Sequence, residues 1–229
     1  MVSVIRIPLV TLLLTLCFAV HVVQAQKGTT DDSSPRSGPE IYGGIFVFSS
    51  LPQNRNMNVG GEALPSTRVK NAGGGGYRAG VFPAFTGYVV GIQAESFGLG
   101  HEVTAPASMG STGIQAGRGT LLAWTTMVSL LVQYPGTQFK PYAGIGVGWS
   151  SSYLVDTQFI KGPVTQSGTL RDTSPAFQYV AGLRTHVTKS VFVFGEYKYF
   201  MSRYQWSGSL EPSLDFRTHI VAIGVGLAF

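Results

Sequence analysis

The chain has 229 residues, a formal net charge of +5, only 12% charged residues, 12% aromatics and 30 glycines. Its charged share is about half the usual one, and no basic run marks a nucleic-acid surface. A single cysteine, Cys17, excludes a small disulfide-stapled domain.

The first segment reads MVSVIRIPLVTLLLTLCFAVHVVQA. Arg6 precedes an apolar run of about 14 residues that ends in Val23-Gln24-Ala25, the layout of a secretory signal peptide. A spanning helix needs about 20 apolar residues. Leu16 before Cys17 is not the small residue that lipoprotein processing requires. Residues 1–25 are therefore expected to be a signal peptide, whose removal takes Cys17 and Arg6 and leaves 15 basic residues against 11 acidic. Residues 26–39, QKGTTDDSSPRSGP, are polar and aperiodic, which predicts a disordered leader. Residues 40–229 are expected to form one domain.

From residue 40 the pattern is apolar alternation broken by turn residues, with no sustained helical spacing. Eight strands are predicted, over 40–49, 75–83, 86–97, 120–133, 139–152, 174–186, 190–204 and 216–229. Most reach the 9–11 residues, roughly, with which a tilted strand crosses a bilayer. The glycine-rich AGGGGYR at 72–78 lacks the lysine of a phosphate loop and is expected to be flexible chain leading into the second strand. Connections after strands two, four and six are short. Those after strands one, three, five and seven (about 50–74, 98–118, 153–173 and 205–215) are long and rich in Gly, Ser, Pro and Thr. Short–long alternation of this kind builds outer-membrane barrels, with tight periplasmic turns and long extracellular loops. The expected fold is all-β, an eight-stranded antiparallel up-and-down transmembrane β-barrel.

The face pattern supports lipid outside. In the last strand Val221, Ile223, Val225, Leu227 and Phe229 alternate with Ala222, Gly224, Gly226 and Ala228. A soluble barrel places its large residues inside to fill the core; here the large set faces out. The same split recurs in strands three, five and six. Mid-strand charges then share the inner face: Arg78, Glu95, Arg184, Glu196 and Lys198. On the lipid face an Arg or Lys costs about 2–4 kcal/mol at the midplane, so an inward, mutually paired plug is expected, with a proton or ion path as the rival. Phe192 and Phe194 fall on this polar side, which implies either a bulge or an apolar plug near the periplasmic end. Tyr42, Trp124, Tyr134, Trp149, Tyr204 and Trp206 lie near strand ends and are expected in the interfacial girdles.

The segments KPYAGIGVGW (140–149), FQYVAGLRTHVTKSVFVFGEYKYF (177–200) and AIGVGLAF (222–229) resemble the closing strands of small outer-membrane β-barrel proteins of the OmpA, OmpX and opacity-protein type. The resemblance implies that Phe229 belongs to a C-terminal sorting signal read by the barrel-assembly machinery, and that Glu196 is an inward structural charge. It also implies residence in the cell outer membrane of a Gram-negative bacterium, among outer-membrane lipid and lipopolysaccharide.

Small barrels that deacylate lipopolysaccharide use a His-x-Ser pair, whereas the histidines beyond residue 25 read His101-Glu-Val, His186-Val-Thr and His219-Ile-Val. The serines of GWSSSY (148–153) have no acid or histidine at interpretable spacing. No catalytic, cofactor or metal site is expected. The expectation is a non-enzymatic barrel whose extracellular loops meet any ligand. A lipid A-modifying enzyme, a narrow pore and a soluble exported barrel are the alternatives.

Overall fold

The computed structural model describes residues 38–53, 55–105, 114–161 and 164–229; the segment read as a signal peptide and most of the segment read as a leader lie outside them. Ten strands occur among the described residues: β1 (Glu40–Pro52), β2 (Arg55–Val59), β3 (Glu62–Val69), β4 (Ala72–Phe82), β5 (Val90–Ala105), β6 (Ile114–Gln133), β7 (Phe139–Lys161), β8 (Val164–His186), β9 (Val191–Gln205) and β10 (Ser213–Ala228). Every pairing is antiparallel, and β1 pairs with β10 from Tyr42↔Ala228 to Pro52↔Thr218, which closes the sheet. Closure leaves no unpaired edge for lipid to meet.

Ten elements make an eight-stranded barrel because β1 runs on as β2 and β3 runs on as β4. Both β1 and β2 pair with β10, and both β3 and β4 pair with β5. The break after β1 follows Pro52, which has no N–H for the ladder; Gln53 resumes it by donating to the Arg217 carbonyl at 2.9 Å. Across the other break the Lys70 N–H donates to the Glu102 carbonyl at 2.9 Å, and the Lys70 carbonyl accepts from His101 Nδ1 at 2.8 Å.

The strands outrun the sequence-based ranges in one direction only. At the short-turn end they stop near the expected positions, except that a 3-10 turn over Ala84–Thr86 delays β5 to Val90 and leaves Tyr88 off the strand, with φ 60°. At the other end, most of what reads as loop is ladder. The 153–173 stretch is nearly all strand, because β7 and β8 are 23 residues each. At about 3.4 Å per residue each spans nearly 80 Å, or about 60 Å along the axis after tilt, against an apolar band of about 25 Å. Gly, Ser and Thr in these stretches mark polar outward positions and bulges, not absent structure.

The glycine run is a second correction. Residues 72–76 belong to β4, paired with β1 from Ser50↔Ala72 to Phe46↔Gly76. A Cβ at Gly74 would lie 2.3 Å from the Phe48 ring, and one at Gly76 would lie 2.8 Å from the Phe46 ring. Glycine stands there to admit aromatic rings into the lumen, a role that composition alone does not distinguish from flexibility.

Candidate functional site: a filled lumen

Side chains of alternating parity fill the barrel in layers. Nearest the short turns, Glu40 lies between Lys140 and Arg184: its Oε2 accepts from Lys140 Nζ, and its Oε1 accepts from Arg184 Nη1 at 3.1 Å. Arg184 is fully buried, with its guanidinium carbon 3.9 Å above the Tyr42 ring and 4.8 Å from the Phe192 ring. Ring faces carry negative potential, so they accept the cation where hydrogen-bond acceptors run out.

The next layer joins Arg78 to Glu196 at 2.7 Å, with the Tyr142 hydroxyl donating to the same carboxylate oxygen at 2.5 Å. Arg78 also lies 3.3 Å over the Phe194 ring. Above it, Lys198 bridges Glu95 at 2.6 Å and Glu196 at 3.1 Å. Gln178 donates to Glu95 at 2.7 Å, and Tyr42 donates to Gln93 at 2.8 Å. The five charges singled out in the sequence thus lie in one buried set, four of them linked in a chain and Arg184 in the layer beneath.

The predicted lumenal set lacks Glu40 and Lys140, while the neutral partners Tyr142, Gln93 and Gln178 fall on the predicted inward alternation without being singled out. The signal was available in parity: Glu40 shares its face with Tyr42, and Lys140 with Tyr142, but both charges sit at strand ends, where a solvated position is the ordinary reading.

Phe192 and Phe194 need no bulge, since β9 pairs with β10 without a register shift. They form the apolar part of the plug, and each fills the space left by a glycine across the ladder: a Cβ at Gly226 would lie 2.3 Å from the Phe192 ring, and one at Gly224 2.4 Å from the Phe194 ring. Above Lys198 the lumen is closed by an aromatic layer. Phe97 meets Phe46, Phe48 and Phe200 at centroid distances of 6.4, 5.7 and 5.9 Å. The buried hydroxyls beyond it pair with one another: Ser50 with Thr218 (2.6 Å), Ser150 with Thr125 and with Tyr204 (both 2.8 Å).

Further from the short turns the lumen turns aliphatic. Met57, Val59, Val69, Val103, Leu121, Leu154, Leu170, Leu210 and Leu214 are all buried around Trp206 and Phe216. The outer face changes in the opposite sense. In β10, outward Leu227, Val225 and Ile223 give way to His219, Arg217 and Asp215, while inward Gly226, Gly224 and Ala222 give way to Ile220, Phe216 and Leu214. One strand therefore carries two opposite hydrophobic patterns. The half nearer the short turns faces lipid, and the far half has a water-facing surface with an ordinary core inside.

This reversal corrects the girdle. Trp124, Tyr134 and Trp149 are exposed, at 50, 69 and 57%, whereas Tyr42, Tyr204 and Trp206 are at most 2% exposed and line the lumen. Trp206 Nε1 donates to Ser152 at 3.1 Å, so these rings belong to the core. The described histidines hold structural contacts. His219 lies on the outer face against Tyr197 (2.6 Å) and Gln53 (2.9 Å), His101 faces Phe216, and His186 stacks near Phe192.

The closed sheet, apolar outer band and filled polar lumen define a small membrane-spanning β-barrel. The chain belongs to the outer membrane protein beta-barrel domain family, whose model matches residues 10–229. In fold it is similar to the outer membrane protein OprG from Pseudomonas aeruginosa, with a TM-score of 0.59 and 14% identity over 84% of this chain and 96% of that one. Neisserial surface protein A is also similar, with a TM-score of 0.50 and 12% identity over 82% of this chain and 97% of that one. Among curated proteins none matches.

Proposed function

We propose that this outer-membrane barrel is a non-enzymatic, closed anchor whose recognition surface is the ladder beyond the apolar band. The observation that carries this reading is the continuous filling of the lumen from Glu40 to Leu210, through two ionic layers, an aromatic layer and an aliphatic layer. An eight-stranded barrel has an interior just wide enough for side chains, and here they occupy it. A filled lumen leaves the outer surface of the projecting strands for contact with ligands, since the short-turn end offers only tight connections.

Phe229 lies at the short-turn end of β10, 71% exposed, with its N–H donating to the Ile41 carbonyl at 2.8 Å. That position on the outer face suits a side chain read by the assembly machinery before closure. Deleting Phe229 is expected to lower insertion in cells while leaving detergent refolding of purified protein nearly unchanged; equal insertion with and without Phe229 refutes the sorting role.

The enzymatic alternative is tested by mass spectrometry of lipid A from cells with and without the protein. An unchanged acyl and phosphate pattern is expected, and any protein-dependent alteration overturns the non-enzymatic reading.

A further inference from the structure

A groove of about 430 Å³ opens above the apolar band, lined by Glu102, Arg118, Thr120, Asp156, Ser167 and Gly168, among others. It lies on the outer wall. Glu102 falls between buried His101 and Val103, and Arg118 and Thr120 flank buried Gly119, so all three project outward by strand alternation. Its height is set by β6, where Leu122 and Trp124 are the last large apolar outward residues before Thr120 and Arg118. Two outward steps separate Trp124 from Thr120, roughly 13 Å along the strand. The groove therefore sits at the level of outer-leaflet headgroups, not far out in water.

It is also built by a backbone irregularity. The β7–β8 register shifts between Leu154 and Thr157, with Asp156 at φ 53° and Gly168 at φ 102°. The Thr157 hydroxyl donates to the Gly168 carbonyl at 2.5 Å and fixes the kink. Such bulges re-aim side chains at sheet margins, and this one turns Asp156 outward at a position where alternation would bury it.

The charges are arranged unevenly. Glu102 is neutralised by Lys70 at 2.8 Å. Thr104 pairs with Arg68 on one side and with Arg118 on the other, which places two guanidinium groups in one outward row beside the groove. Among the described residues no carboxylate pairs with either. Two unpaired guanidinium groups beside a carboxylate and two hydroxyls match the phosphate and the sugar hydroxyls of one molecule, because Arg binds phosphate oxygens in bidentate fashion.

We propose that this groove holds the phosphorylated sugar headgroup of an outer-leaflet glycolipid, with Arg68 and Arg118 on the phosphate and Asp156, Thr120 and Ser167 on the sugar. The assignment rests on the outer-membrane reading and gives the projecting ladder a first partner in the membrane itself.

The test uses the full chain in phosphatidylcholine nanodiscs containing bis-phosphorylated lipid A, read by native mass spectrometry. Wild-type protein is expected to retain lipid A adducts that its dephosphorylated form does not give. The double change R68Q/R118Q is expected to lower retention about tenfold or more, while R203Q, which alters an exposed arginine on β9 outside the groove, leaves it unchanged. Heat-modifiable mobility of each variant establishes that it is folded, and R68K/R118K supplies a charge-retaining control. Equal retention by R68Q/R118Q and wild type, or equal loss in R203Q, overturns the site. Equally tight binding of free glucosamine 1-phosphate assigns the groove to a diffusible ligand and overturns the membrane source. Failure of the outer-membrane reading is seen separately, as protein absent from outer-membrane fractions.

Discussion

At the scale of single residues, the lumen is a set of ring-to-glycine fits. Gly80 is the clearest, because all three nearest atoms that its Cβ would meet, at 2.4–2.7 Å, belong to the Tyr42 side chain. Gly80→Ala is expected to destabilise the barrel by about 1–3 kcal/mol, the cost of overpacking. Combined with Tyr42→Leu it should cost less than the sum of the two changes, measured by urea unfolding of refolded protein; strict additivity removes the fit. Lys198 decides the ionic part of the lumen, since among the described residues it alone bridges Glu95 and Glu196. Lys198→Met leaves a buried carboxylate short of its cation and is expected to cost about 3–5 kcal/mol; a wild-type midpoint means the network holds nothing. Beyond the apolar band, burial holds the His101 imidazole below its ordinary range, opposed by the bond to the Lys70 carbonyl. The unfolded segment takes up a proton near pH 6.5 and the folded one only lower, so native stability declines as pH falls below about 6.5. Protection factors across residues 98–105, that is, exchange corrected for its intrinsic pH dependence, should therefore fall between pH 7.5 and pH 5.0 in wild type, and the fall should vanish in His101→Phe.

At the scale of the element, β10 explains what the sequence discloses and what it conceals. Its large–small alternation over 221–229 makes the lipid-facing half legible, because no soluble core leaves its lumenal positions to glycine. The other half, Ser213–Ile220, alternates equally well, but with polarity reversed. The predicted strand, 216–229, already takes in most of this half, but alternation gives period and not sign, so what the sequence conceals in β10 is the reversal of its faces. The same reversal explains why Tyr204 and Trp206 look like girdle residues: near a strand end, an aromatic ring suits an interface or a core equally. Paired charges in the lumen are visible through parity when they lie mid-strand, as Arg78 and Glu196 do. Glu40 and Lys140 are concealed because they sit at strand ends. The groove was not legible at all, since it depends on a register shift at 154–157 that brings Asp156 and Gly168 beside Arg118.

At the scale of the whole molecule, two cores are stacked along one axis: an ionic and aromatic plug inside the lipid-facing half, and an aliphatic core inside the projecting half. The first keeps buried charge away from hydrocarbon. The second lets 23-residue strands continue past the membrane without exposing apolar surface. On the reading proposed above, the barrel holds position and presents a wall, and the described side chains leave no route through its centre. Single-channel recording in planar bilayers tests that claim most directly. The account predicts that refolded protein, verified as inserted, adds no steady current over the protein-free bilayer. A sustained conductance that rises with inserted protein, and that grows when Phe97→Ala opens the aromatic layer, would contradict it.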